Sequence, residues 1–184
     1  MKTIANDVNY IKKRLLDDID AVADCKVETE KPSEVDEKDD TLQAPSLYEN
    51  MWVVIQRREQ GGVSFYRSWD DYKTGFGNPF REFFIGLDRI YYLTNSTPHE
   101  LLIQLQDFNE TITYALYDEF LVGNENEKYQ LKKLGTYSGN AGDYMRDHVG
   151  MFFSTKDRDN DASTDLHCAK RFEGGWWYHN CLTR

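Results

Sequence analysis

The chain has 184 residues, of which 40% are hydrophobic and 14% aromatic, and its net charge at pH 7 is −10. This composition allows one compact domain with a core, plus an appendage. No run of about 18 or more apolar residues occurs, so the sequence predicts no membrane-spanning helix. The acidic balance argues against nucleic-acid binding, because no basic stripe is present to displace phosphate counterions. Residues 1–6 lack the apolar core of a secretory signal peptide.

The first 46 residues are predicted to form an appendage with two parts. Apolar residues recur at spacings of three or four, the a/d stripe of a coiled coil, at Ile4, Val8, Ile11, Leu15, Ile19 and Val22. Because an isolated helix of this length is marginal in water, residues 1–25 are expected to self-associate as a coiled-coil helix or to pack on their own domain. Cys25, the odd cysteine of three, suits a bridge between chains or a reactive thiol. Residues 26–46 are acidic and nearly devoid of aliphatic side chains, which predicts a flexible linker.

Residues 47–184 are predicted to form one α+β domain around a central antiparallel sheet. Ser68 and Gly75 bracket a short helix, as N-cap and C-terminal stop. Apolar and polar residues alternate on both sides of a turn at Asn109-Glu110, which predicts a half-buried hairpin. The remaining predicted elements are a strand over 52–56, a helix near 87–92 and a strand over 129–134 that continues the hairpin.

Three carboxylates stand at alternate positions, on Asp157, Asp159 and Asp161. Like charges this close repel, and burying any of them unpaired costs several kcal/mol. A Ca²⁺ ion removes the difficulty, because it takes about six to eight oxygen ligands. The loop is not an EF-hand, since counting from Asp157 puts Ala162 and Cys168 where that loop requires Gly and Glu. The alternative is a solvated acidic turn without an ion.

Two cysteines enclose an aromatic segment near the end of the chain. Cys168 and Cys181 are thirteen positions apart, and Gly174-Gly175 and three consecutive aromatic residues lie between them. A disulfide here would close a loop of about 14 residues and stabilise it by about 3 kcal/mol. Two buried thiols are the alternative. An aromatic loop held beside a cation site is typical of a recognition surface.

These motifs together resemble the fibrinogen C-terminal (fibrinogen-related) domain. Asp157–Asp161 is similar to its calcium loop, and the segment from Cys168 to Cys181 is similar to its disulfide loop. The resemblance covers roughly residues 51–181, and the other motifs that carry it follow the family's order: Trp52–Arg58, Phe65–Trp69, Tyr72–Asn78, Glu82–Gly86, Ala141–Asp143 and Gly150–Thr155. The small module that opens such domains has no counterpart before Trp52.

The resemblance implies a set of metal ligands and a disulfide. It places side-chain ligands for Ca²⁺ at Asp159 and Asp161, and backbone carbonyls at Ser163 and Asp165. Asp157 is expected to support the loop. It also pairs Cys168 with Cys181. Calcium would act structurally, by neutralising the acidic turn and fixing the neighbouring loop.

The resemblance also implies a ligand pocket beside the disulfide loop, because ficolin-like members recognise acetyl groups there. The residues expected to contribute are Phe172, Trp177, Tyr178, Asn180 and Cys181, with the Asn180–Cys181 peptide in the cis form. The alternative for Trp176-Trp177 is that the pair belongs to the hydrophobic core. The family's usual His after the second cysteine is Leu182 here, and members continue for several dozen residues. The domain is therefore expected to be C-terminally truncated.

The function expected from this resemblance is a secreted, calcium-stabilised innate-immune lectin that binds carbohydrate or acetylated surface ligands and is made multivalent through residues 1–25. Alternatives are a receptor- or matrix-binding member of the family and a truncated product without ligand binding. Sequons at Asn95 and Asn109 predict glycosylation. An enzyme is not expected, since no nucleophile, base and orienting group can be assembled, and the histidines show neither a shared period nor zinc spacing.

Overall fold

The structure is a computed structural model that describes residues 4–13, 52–59 and 61–182. Three α-helices lie in the described residues: α1 Trp69–Thr74, α2 Leu87–Ser96 and α3 Cys168–Arg171. The described strands are β1 Ile4–Lys13, β2 Val53–Arg58, β3 Phe76–Gly77, β4 Phe83–Phe84, β5 His99–Asp107, β6 Ile112–Tyr117, β7 Phe120–Val122, β8 Leu131–Leu134 and β9 Tyr137–Gly139. Short 3₁₀ turns cover Glu125–Glu127 and Arg146–His148.

A seven-stranded antiparallel sheet organises the domain, with the strand order β3-β4-β2-β1-β5-β6-β9. Strands β7 and β8 form a second, two-stranded antiparallel sheet. Since the helices are few and no two described strands run parallel within a sheet, the α+β class with a central antiparallel sheet is confirmed.

The coiled-coil helix predicted for residues 1–25 is wrong over Ile4–Lys13, which forms strand β1 between β2 and β5. Strands β2 and β5 each have an edge of main-chain donors and acceptors, and one strand inserted between them pairs with both edges. This main-chain pairing outweighs the helical spacing of the apolar residues. The β-branched residues of this segment also suit a strand. Residues 14–25 and the predicted linker over 26–46 lie outside the described residues.

Helix α1 follows its sequence signals closely. The Ser68 hydroxyl accepts from the Asp71 backbone N–H at 3.3 Å, and the Asp71 carboxylate accepts from the Ser68 N–H at 3.2 Å, which completes a capping box. Gly75 ends the helix with φ +97°, and a Cβ there would lie 2.5 Å from the Ile85 carbonyl oxygen. Only glycine fits this position.

The predicted hairpin is confirmed in β5 and β6, but its continuation is not. Asp107 closes the turn by accepting from the backbone N–H groups of Asn109 and Thr111 at 2.8 and 2.9 Å. The alternating pattern runs on past Tyr117, yet the chain turns at Asp118, which binds the Thr136 N–H at 2.6 Å. The later part of the pattern, β7, therefore pairs with β8 in the second sheet.

A buried carboxylate holds the loop after β2. The Glu82 side chain accepts backbone N–H groups from Glu59, Gly61 and Val63 at 2.9, 2.8 and 2.7 Å. Burial opposes ionisation of Glu82, but these donors outweigh it and lower the pKa of the carboxyl below its ordinary value.

Replacing Glu82 with Gln is expected to lower the free energy of unfolding at pH 7 by about 2 kcal/mol, because the amide cannot accept all three bonds. A lowered folded-state pKa means that the contribution is complete above the unfolded-state pKa and is lost as pH falls through the folded-state value. The gap between wild type and Glu82→Gln should therefore shrink below about pH 4. Denaturant unfolding of both proteins at a series of pH values measures this difference in unfolding free energy. Glu59→Gln, whose side chain is exposed in the same loop, is the control, and an equal effect of both changes would contradict the account.

Candidate functional site

The aspartate-rich turn brings together two carboxylates and one imidazole. Ligand atoms of Asp159, Asp161 and His167 all lie within 4.8 Å of one another, and His167 Nδ1 is 3.9 Å from an Asp159 oxygen. His167 Nδ1 is buried and has no hydrogen-bond partner in the described structure. Sequence analysis missed His167, because its place in the turn depends on the fold of residues 161–168 rather than on spacing.

Asp161 ties this turn to the disulfide loop. Its two carboxylate oxygens accept from the backbone N–H groups of Ser163 at 2.9 Å and Cys168 at 2.8 Å. Burial raises the pKa of Asp161, these two donors oppose the rise, and the neighbouring Asp159 carboxylate adds to it. Such like-charge tension is what a bound cation relieves.

The other acidic positions of the turn have separate places. Asp157 accepts from the Trp69 backbone N–H at 2.9 Å and from the Thr155 hydroxyl at 2.8 Å, so its carboxylate fastens the turn to the start of α1. The Asp165 carboxylate is exposed, accepts from the Thr164 hydroxyl at 3.1 Å and stands outside the three-residue cluster. The Ser163 hydroxyl is occupied by the Leu166 N–H at 3.2 Å.

The predicted Cys168–Cys181 disulfide is confirmed, with Cα atoms 5.2 Å apart. Main-chain bonds join its loop to the segment that precedes the aspartates. Ser154 and Trp176 exchange two of them, at 2.9 and 3.2 Å, and the Ala162 N–H donates to the His179 carbonyl at 3.1 Å. The turn and the loop therefore form one hydrogen-bonded unit.

Trp177 belongs to the core rather than to a surface. It is 4% exposed, donates its indole N–H to the Tyr129 carbonyl at 2.6 Å, and packs edge-on against Phe153 with ring centroids 5.1 Å apart. This placement corrects the prediction that Trp177 contacts a ligand. The alternation of buried and exposed positions around Gly174-Gly175 could not be assigned from sequence.

A cleft of about 480 Å³ lies between the disulfide loop and the central sheet. Phe172 is 41% exposed there and stacks on Tyr178, with ring centroids 6.1 Å apart and planes 24° apart. Strand β2 contributes Arg58, which sequence analysis missed because β2 and the loop are more than 100 positions apart, and Leu182 lines the same cleft. Asn180 and Cys181 are not among its described lining residues; Asn180 is exposed and Cys181 is buried in the disulfide.

The Asn180–Cys181 peptide is trans, as is every peptide bond in the described residues, so the expected cis form is wrong. Cys181 instead takes a left-handed conformation, with φ +51°. The trans form is the default for a bond that does not precede proline. The pocket therefore differs from the one that the resemblance implied.

The two sequons differ in their surroundings. The Asn95 side-chain N–H₂, the group that glycosylation would modify, donates to the Val122 carbonyl at 3.1 Å. Asn109 lies exposed at the tip of the β5–β6 hairpin. Both asparagines are exposed, and modification of Asn95 would cost its bond to Val122.

Comparisons with known proteins agree with this geometry. A model of the family of fibrinogen beta and gamma chains, C-terminal globular domain, matches residues 46–184. The chain therefore belongs to this family. None of the described helices is both long and apolar enough to cross a membrane.

Individual relatives include a whole protein and two solved structures. Ryncolin-4 from Cerberus rynchops is 50% identical over 130 residues, which cover 71% of this chain and 37% of that protein. The fibrinogen-like globe domain of human ANGPTL2 has a TM-score of 0.70 and 45% identity, over 72% of this chain and 61% of that one. Lamprey fibrin D-dimer, in complex with the peptide ligand Gly-His-Arg-Pro-amide, has a TM-score of 0.66 and 35% identity, over 70% of this chain and 45% of that one. The chain thus spans little more than a third of Ryncolin-4.

Gly175 sits where the loop passes closest to the core. A Cβ added there would lie 2.7 Å from the Tyr72 ring and 2.8 Å from the Phe153 ring, whereas one added at Gly174 would meet nothing closer than 3.9 Å. The Gly175 N–H also donates to the Tyr72 hydroxyl at 2.9 Å.

Gly175→Ala is therefore expected to destabilise the protein by about 1–3 kcal/mol through overpacking. Thermal and denaturant unfolding measure the change, with Gly174→Ala as the matched control, expected to stay within about 0.5 kcal/mol of wild type. Equal stability of the two variants would show that the loop does not press on the core as described.

Proposed function

We propose that the protein is an extracellular recognition module in which a Ca²⁺ ion fixes the disulfide loop, and the cleft beside that loop binds carbohydrate or acetylated surface ligands. The observation that carries this proposal is the double hydrogen bonding of Asp161 to Ser163 and Cys168, because it links the candidate ion site directly to the loop that lines the cleft. The disulfide supports an oxidising, extracellular setting.

The donor set fits a divalent cation. Asp159 and Asp161 supply two converging carboxylates. The backbone carbonyls of Ser163 and Asp165, which the family resemblance implies, are the proposed additional oxygens. Such hard oxygen donors suit Ca²⁺, whose irregular coordination tolerates a flexible loop. The His167 imidazole introduces an alternative, because nitrogen ligands suit Zn²⁺ better than Ca²⁺.

The lining of the cleft suits a ligand with both apolar and polar faces. The Phe172 ring, 41% exposed and backed by the buried Tyr178 ring, offers an apolar face, while Arg58 and Glu173 add opposite charges to the cleft lining. Clefts of this kind, mostly aromatic with a few polar groups that fix orientation, are typical of small-ligand sites. An acetylated sugar can lie against the rings and hydrogen-bond to the charged groups.

A protein or peptide ligand is the second candidate. The lamprey relative binds a tetrapeptide, and in this chain Leu182, 44% exposed, adds apolar surface where the resemblance expects His. Arg58 and Glu173 would also pair with the carboxylate and amine of a short peptide.

Calcium is expected to raise the melting temperature relative to chelator. Free ion at about 100 times its Kd adds about 2.7 kcal/mol to the free energy of unfolding. Asp159→Asn should abolish most of the calcium-induced increase in melting temperature. Asp165→Asn should leave that increase unchanged, because Asp165 is proposed to bind the ion through its backbone carbonyl, which the substitution keeps. His167→Ala should leave the calcium effect but reduce any zinc effect. A melting temperature equal in chelator and in calcium would exclude a stabilising Ca²⁺ site.

Titration calorimetry with N-acetylated sugars and with short peptides tests the cleft. Binding is expected in calcium and not in chelator, and Phe172→Ala should weaken it about tenfold by removing the exposed ring of the cleft. Phe80→Ala is the matched control, because Phe80 is 91% exposed and does not line the cleft. Heat with peptides alone would favour the second candidate, and heat with neither class would contradict both.

A further inference from the structure

Strand β1 occupies a slot that splits the central sheet. It pairs with β5 at positions that run from Ile4–Asp107 to Lys13–His99, and with β2 from Asp7–Arg58 to Ile11–Val53. Strands β2 and β5 are not neighbours in the sheet order, so β1 alone joins its two halves. Without that strand, both would present unpaired main-chain groups to each other.

The register of β1 is specified from both sides. Lys12 stands opposite Glu100 of β5, and Asp7 stands opposite Arg58 of β2. A shift of one position would change the pairing with both neighbouring strands at once. Any second copy of Ile4–Lys13 carries the same residues and fits the slot equally well.

The connection from β1 to β2 is far longer than the geometry needs. Ile11 lies opposite Val53, so β1 ends where β2 begins, and a turn of about two residues would join such a pair. Instead, 39 residues separate Lys13 from Val53. Fully extended, they would reach about 130 Å, several domain diameters.

We propose that the slot between β2 and β5 is a strand-acceptor site, and that the Ile4–Lys13 segment of a second copy fills it when copies are crowded. Each copy would give its own strand and receive one, so that all main-chain bonds of β1 are kept. The protein then assembles through its N-terminal segment by strand exchange instead of by a coiled coil.

The length and charge of the connection set the concentration at which exchange competes. Any flexible connection of about 39 residues has a root-mean-square span of about 35 Å and holds its end at an effective concentration in the millimolar range. The sequence of residues 14–51 contains 12 acidic and 4 basic residues, and like charges in a flexible connection lower this value. The fraction of exchanged strands should therefore be small in dilute solution and should rise with protein concentration.

Paired single-cysteine chains test the exchange. Val8 stands opposite Gln104 of β5, and Cα atoms of facing residues are about 4.5–5.5 Å apart, within disulfide range. Two full-length chains are prepared, one with Val8→Cys and one with Gln104→Cys, and both also carry Cys25→Ser. They are mixed and unfolded in denaturant at mildly acidic pH, with the Cys168–Cys181 disulfide intact. The mixture is then refolded by dilution and oxidised. Mass spectrometry quantifies the disulfide between different chains. Its yield is expected to rise roughly tenfold when the refolding concentration rises from about 10 to about 100 μM.

Two controls keep the outcome interpretable. Val8→Cys mixed with Lys133→Cys, an exposed position on β8, should give only background cross-linking. The double variant Val8→Cys and Gln104→Cys on one chain should close internally in dilute solution, which confirms that the strand occupies the slot. A yield that never exceeds the Lys133→Cys background, or a double variant that does not close, would overturn the proposal. Failure of calcium or ligand binding would leave it unaffected, because neither enters this measurement.

Discussion

The end of the domain that carries the disulfide loop depends on one carboxylate. Asp161 uses both oxygens to hold backbone N–H groups, one within its own turn and one at Cys168, where the disulfide loop begins. Burial and the adjacent Asp159 both oppose its ionised form, while the two bonds require it. A cation between the two aspartates would resolve this conflict, and it would do so at the point where the turn and the loop meet. The candidate ion site and the cleft are therefore parts of one structure rather than two independent features.

The same end of the molecule is held from beneath by the core. Gly175 lets the loop approach the rings of Tyr72 and Phe153, and the Trp177 indole is fixed to the Tyr129 carbonyl. Asp157 adds a third attachment, to the first residue of α1. These attachments, to helix α1 and to the segments that carry Tyr129 and Phe153, leave the loop little freedom except at its outer rim. The cleft is consequently shaped by rigid parts of the fold, as small-molecule sites usually are.

Local signals in the sequence predicted the elements whose partners lie nearby. The capping box at Ser68, the hairpin around Asn109 and the disulfide all follow from short-range patterns or from the family resemblance. Strand β1 was missed because a helical spacing of apolar residues is compatible with a strand when both neighbouring edges are open, and those edges lie at least 40 positions away. His167 and Arg58 were missed for a related reason, since each reaches its site only through long-range folding. Phe172 and Tyr178, which the family motif predicts as ligand contacts, both line the cleft, but only the Phe172 ring is exposed there.

The exposed ring of Phe172 has an evolutionary consequence. It rests on Tyr178 at the rim, outside the network that anchors the loop, so its identity can change with little effect on folding. Under the proposed function, stability and ligand preference would be controlled by different positions on one scaffold. Gene duplication could then diversify what such domains bind while the buried framework stays the same, which would account for lineages of one fold with unrelated targets.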